Sequence, residues 1–239
     1  MNIYQTTDSQ LRSLLGLTHA PIAITFLDHV PDEVPGFGSD YPEPTDDGRT
    51  GAVAAGCVFW TKAHDRTFAT TPSDHGNCSV GSLTHGLISL EEAATRADVQ
   101  AVCEAKWVDP EIFPHIPTVT ERPQSIVYGP LADATTDPDV VLLRLVGKQA
   151  MQLHSAIPSL QFEGKPQCHI IPIAHEQQKP AVSVGCMLSR VRTGMNNNEM
   201  TCAIPFAQLS DTMESLEEAC AADRLVAEYA SSDAARFRE

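Results

Sequence analysis

Apolar residues along this chain fall into two kinds of run, spaced and continuous, and their alternation outlines a mixed fold. Leu11, Leu14, Leu15 and Leu17 recur at helical spacing behind a capping Asp8 or Ser9, predicting a helix over residues 8–17. Pro21 to Leu27 is unbroken and reads as a buried strand. Residues 31–51 are rich in Pro, Gly and Asp without periodicity, and are expected to form a mobile flap. Apolar character returns in Ala52 to His64, expected as a short buried helix carrying Cys57, and in a strand over Thr67 to Thr71. Asp74 to Cys78 is a turn that opens a helical segment, Ser79 to Leu90. Residues 91–106 suit a surface helix, and Ser125 to Tyr128 a strand closed by Gly129-Pro130-Leu131.

The second half repeats this order. Val140 to Val146 is the clearest strand, and Gly147 to Ile157 follows as a helix. After a Gly/Pro linker come Cys168-His169-Ile170-Ile171, a polar loop to Lys179, and Ala181 to Cys186. Residues 192–198 are loop and Thr201 to Phe206 a strand. Asp211 and Glu214 have capping-box spacing for an amphipathic helix reaching about Ala230. The expectation is an α/β (mixed α+β) fold in one domain spanning 1–239. It would have two similar halves, about 8–130 and 131–230, as an internal duplication would give, around a shared cysteine-lined cleft.

Charge narrows the partners. The 31 acidic and 16 basic side chains give a net charge of −15, which disfavours nucleic-acid and anionic membrane surfaces. The N-terminus has neither a basic nor an apolar leader segment, and no apolar stretch is long enough to span a bilayer, so a cytoplasmic protein is expected. Seven cysteines, an odd number, then argue for metal or redox chemistry over a disulfide framework. A small, anionic substrate is the expected partner, and a homo-oligomer is compatible with the sequence.

Four of those cysteines form two wide pairs, Cys57 with Cys78 and Cys168 with Cys186, mostly beside glycine. Small neighbours let a backbone approach a metal or cluster closely. Were Ser79 to Leu90 helical, Cys78 would sit at its N-terminus, where the macrodipole favours thiolate. Structural zinc generally uses tight Cys-x2–4-Cys knuckles, and none occurs here. Wide spacing better fits a bulkier [4Fe-4S] cluster, with zinc and unliganded thiols as alternatives. Four ligands would saturate such a cluster for electron transfer or sensing, whereas three would leave an iron open as a Lewis acid.

Several segments resemble domain-of-unknown-function family 169, the uncharacterised "ArCR" proteins. They are Pro21-Ile22-Ala23-Ile24, the Cys57 segment, His75 to Gly81, Tyr128 to Leu131 and Asp137 to Val141. Gln149-Ala150-Met151, Cys168, Gly185 to Arg190, and Glu199-Met200 through Ile204-Pro205 continue the match. The resemblance runs from about residue 10 to 220 and is weakest at 31–51. It implies that Cys57, Cys78, Cys168 and Cys186 belong to the family pattern, while Cys103, Cys202 and Cys220 are incidental. It implies no activity.

Other side chains have two readings each. His75 is a ligand, proton donor or supporting partner, or a turn histidine bonded to backbone. Arg190 binds a substrate anion bidentately or offsets cluster charge. His169 reads as structural, Lys148 as a weaker anion site, and Glu199 as a general base or a cap. Nucleotide-binding and serine-hydrolase motifs are absent. A metal-free thiol enzyme using Cys78 with His75 is a rival, although neighbours in one turn seldom align for proton transfer. The expected function is therefore an iron–sulfur enzyme doing lyase- or desulfurase-type chemistry on a small anionic molecule, with His75 and Arg190 facing it.

Overall fold

The computed structural model describes residues 2–37, 56–76 and 78–234. Its centre is a seven-stranded mixed sheet made of β1 (Ile22–Leu27), β2 (Phe68–Thr70), β3 (Ser125–Pro130), β4 (Val140–Val146), β5 (Gln161–Glu163), β6 (Ala181–Ser183) and β7 (Glu199–Pro205). The spatial order is β2-β3-β1-β4-β7-β6-β5, antiparallel throughout except for β5 beside β6. The fold is thus mixed α+β.

Successive residues of the central strands enter different cores, because strand side chains alternate between faces. Ile22, Ile24, Val140 and Leu142 pack on one face, Ala23, Val141, Leu143 and Leu145 on the other. Both faces are buried, which explains why β1 and β4 read as continuous apolar runs. Helices α2 (Cys57–Lys62), α3 (Ser79–Thr84), α4 (Leu90–Thr95), α5 (Ala97–Glu104) and α7 (Ile170–Glu176) supply the first core. Helices α1 (Ile3–Leu15), α6 (Gly147–Ala156) and α9 (Leu209–Ala234) supply the second. Helix α8 (Met187–Thr193) packs on α2.

The strand registers have a regularity. Strands β1 and β4 pair Ile22 with Leu142, Ala23 with Val141 and Ile24 with Val140, so Ala23–Val141 is the midpoint. Outward on one side, Ile22 meets Pro130 and Tyr128 meets Phe68. On the other side, Val140 meets Pro205 and Ala203 meets Ala181. Each proline is followed by a short 3-10 turn, Leu131–Asp133 or Phe206–Gln208.

Helix boundaries depart from the sequence expectations at identifiable caps. Asn2 accepts the Gln5 amide at 2.9 Å and starts α1 early, leaving Asp8 buried inside the helix. The segment 79–90 stops at Thr84 because Gly86 takes φ +71°, where a Cβ would lie 2.5 Å from the Val119 carbonyl oxygen. Residues 91–106 split into two helices at Arg96, whose backbone is extended. Helix α9 begins at Leu209, so Asp211 lies in its first turn rather than capping it. Helix α7 replaces most of the polar loop expected up to Lys179, and α8 runs two residues into the loop expected at 192–198. Of the expected flap, Gly36 bridges Ala69 and Phe37 is buried between Phe59 and Phe68; residues 38–51 lie outside the described residues. Among the described residues no helix is long and apolar enough to cross a membrane.

Candidate functional site

Short helices deliver the four paired cysteines. Cys57 is the first residue of α2 and follows Gly56, whose φ of +58° turns the chain into that helix. Cys78 and Cys186 are both extended residues preceding α3 and α8. Cys168 lies in a 3-10 turn, Gln167–His169, that leads into α7. Helix α2 packs on α8, and that 3-10 turn packs on α3. The outcome is a narrow recess of about 30 Å3, lined by Cys57, Cys78, Cys168 and Cys186 together with Trp107, Ser189 and Arg192.

Burial dominates the thiol electrostatics. It pushes Cys57 up to about 12, and the neighbouring Cys78 and Cys186 add to this while Ser189 and Arg192 oppose it. Burial also raises Cys78 and drives Cys168 well above the ordinary thiol value. Cys57, Cys78 and Cys168 each respond to at least one other sulfur of the set, Cys186 among them in every case, so the four are electrostatic neighbours. The thiolate expected of Cys78 from the helix field does not arise. Besides burial, the Asp98 carboxylate already occupies this helix end, accepting from the Ser79 amide at 2.8 Å and the Ser79 hydroxyl at 2.7 Å. Among the described residues, no group of three or more His, Cys, Asp or Glu side chains is arranged to hold a single metal ion.

The two other expected site residues stand apart from the recess. Arg190 Nη2 donates to the carbonyl oxygens of Val184 (3.1 Å), Asn197 (3.1 Å) and Glu199 (2.9 Å). Its guanidinium covers Gly185, where a Cβ would lie 2.0 Å from Nη1. Arg190 is a backbone clamp, and Arg192, two residues on, is the arginine that lines the recess. The sequence signal for Arg192 is only its helical offset from Cys186, unreadable with residue 192 placed in the expected loop at 192–198.

His75 is 1% exposed and packs its ring 4.7 Å from Phe59 and 5.9 Å from His85. Its Nε2 lies 3.0 Å from Thr70 Oγ1, whose own hydroxyl donates to the Ile126 carbonyl, so Nε2–H is the donor. Burial, and then His85, hold His75 well below the ordinary histidine value, which makes it a neutral framework imidazole. His85 donates Nδ1–H to the Gly81 carbonyl at 2.8 Å and is pulled down by burial to about 4.

His169 is buried in its 3-10 turn with Nδ1 4.0 Å from Glu163. Lys148 is exposed at the start of α6. Glu199 is 5% exposed and ion-paired with Arg144, neither a surface cap nor a neighbour of the thiols. Cys202 and Cys220 lie in the opposite core, and Cys103 sits half-buried on α5.

Comparison with known proteins adds a family and nothing further. The family described as uncharacterised ArCR, domain-of-unknown-function family 169, matches residues 10–215. No curated protein and no solved structure matches the chain.

Proposed function

The chain belongs to the uncharacterised ArCR family, and from its four gathered thiols we propose an iron–sulfur protein that binds a [4Fe-4S] cluster through Cys57, Cys78, Cys168 and Cys186. The observation that carries this reading is the common recess that the four cysteines line. The raised pKa values of Cys57, Cys78 and Cys168 are consistent with this reading: buried thiols ionise only when a metal supplies the compensating charge.

When bound, such a group supplies either electron transfer or, with one iron unligated by protein, a Lewis acid. The chain's own residues do the rest. Arg192 presents the cation that meets a small anionic substrate, and Trp107 and Leu188 hold the surroundings apolar. We favour lyase- or desulfurase-type chemistry; a fully ligated electron-transfer or sensor protein is the rival within the same cofactor. Raised thiol pKa values oppose a metal-free cysteine enzyme.

The reading includes two related halves sharing the cleft. It is supported by the strand registers, which match outward from Ala23–Val141, and by the ligand positions. Each half contributes one cysteine preceding a helix (Cys78, Cys186) and one further along the same sheet face (Cys57, Cys168). The narrowness of the recess, about 30 Å3, favours a single zinc ion as a second reading.

Anaerobic purification, a visible spectrum, and iron and acid-labile sulfide analysis decide between these. The expected result is broad absorption near 400 nm with about four irons per chain, the cubane stoichiometry, and loss of both in Cys186→Ser. Full iron in that variant, or a protein that stays iron-free after reconstitution, overturns the reading. Zinc in place of iron selects the second one.

A further inference from the structure

We propose that a second site, at the end of β4 and separate from the four thiols, binds an oxyanion that also carries a hydroxyl, on the guanidinium fork of Arg144. Arg144 has a side chain only 9% exposed. Its Nε donates to Glu199 Oε1, and the other Glu199 oxygen accepts the Asn196 amide at 3.2 Å. Glu199 therefore takes the side of the guanidinium and leaves the end. Among the described residues, no hydrogen bond joins Nη1 or Nη2 to anything. Arg190 provides the contrast, since its terminal nitrogen is spent on three carbonyls. An arginine held by its Nε with a vacant end presents two parallel donors, the geometry that receives carboxylate or phosphate.

Neighbouring residues approach the fork from both adjoining strands. In the β4–β7 register Arg144 faces Thr201, which is 1% exposed and whose hydroxyl has no partner. On the other side β1 pairs Ile22 with Leu142, so the chain entering β1 carries His19 alongside Arg144. The His19 ring meets His64 edge-on at 5.1 Å. His64 Nε2 lies 3.2 Å from the Asp65 carboxylate, which can only accept, so that nitrogen bears the proton. Its Nδ1 is then a buried acceptor, also without a partner.

An ion pair serving only to fix register would not leave these groups unsatisfied. Each unmade buried hydrogen bond costs about 1–3 kcal/mol, and here an arginine fork, a hydroxyl and an imidazole nitrogen go unpaired together. A ligand with an anionic head and a hydroxyl answers all three: oxygens on the fork and on Thr201, and an O–H toward His64 Nδ1. Hydrogen phosphate and a 2-hydroxy carboxylate share this chemistry.

The test titrates the full chain separately with inorganic phosphate and with glycolate, following the imidazole NMR signals of His19 and His64 and the thermal midpoint. Saturable shifts with either probe are expected; which probe acts names the head group. Arg144→Lys keeps a charge for Glu199 but loses the fork, and should weaken binding about tenfold or more, the loss of one charge-assisted hydrogen bond. Thr201→Val should weaken it less, and decides the matter if Arg144→Lys does not fold. No saturable shift with either probe, or affinity within about threefold of the parent in the deciding variant, overturns the site. Iron content measured on the same samples separates this outcome from the fate of the cluster reading.

Discussion

On the sheet face covered by α1, α6 and α9, Cys202 and Cys220 lie in the core as small apolar side chains, their thiols directed at the Ala203 carbonyl at 4.0 Å and the Leu14 carbonyl at 3.6 Å. On the opposite face Cys57, Cys78, Cys168 and Cys186 surround one recess with Ser189 and Arg192. Burial raises the thiol pKa on both faces, Cys202 and Cys168 alike, so inaccessibility does not separate filler from site. What separates them is company. Neither thiol of the first pair responds to another sulfur, whereas Cys57, Cys78 and Cys168 each respond to others of the second set, Cys186 included. A buried cysteine gains chemical meaning from how many others the fold brings to the same place.

The sharpest way to break that contrast is to remove one cysteine from each face. Cys168→Ser should abolish iron and sulfide binding after anaerobic reconstitution, while Cys202→Ala should retain the full complement. Equal iron in both would erase the distinction.

Next in size is the pH response of the metal-free protein. Cys57 sits at about 12 in the folded chain against an ordinary 9.0. Because the folded value is raised, its contribution is fully present below pH 9. It is lost as pH climbs toward 12, where the unfolded thiol ionises first. Urea midpoints should therefore fall between about pH 9 and 12, by at most about 1.4 kcal/mol per unit for this thiol and about 4 kcal/mol across the window. Cluster-loaded protein should show a flatter profile there.

A smaller effect separates the two arginines of α8. Arg190→Met removes three bonds to carbonyl oxygens and should cost about 2–3 kcal/mol in urea unfolding with little change in iron. Arg192→Met should leave stability within about 1 kcal/mol, as surface changes usually do, and alter the response of the cluster spectrum to added anions. The least expected change is in His75→Phe, which removes an unpartnered buried nitrogen at the loss of one bond to Thr70. Its stability should stay within about 1 kcal/mol and its iron complete; loss of iron would return His75 to the site.

Much of the sheet was readable because β1, β4 and β7 declare themselves by apolar continuity. The cysteine-bearing helices were harder. Helix α7 contains Pro172 and α8 spans only seven residues, too short for periodicity to register. Without α8 the choice between Arg190 and Arg192 had no basis, since two residues of helix rotate a side chain to a different face. The Arg144–Glu199 pair was equally hidden: the residues lie 55 apart and meet only through the β4–β7 register. His75 misled because its place beside Cys78 in sequence becomes, after one 3-10 turn, a place beneath Phe59.

The midpoint at Ala23–Val141 has a practical consequence for anyone dividing the molecule. On the edge away from β7, strand β4 is covered along Val140, Val141 and Leu142 by β1, so a fragment starting near residue 131 would expose that stretch as an open, uncharged edge. Unpaired edges of this kind seek another chain. The fragment would be expected to self-associate or precipitate, even though most of its own strands and helices are present.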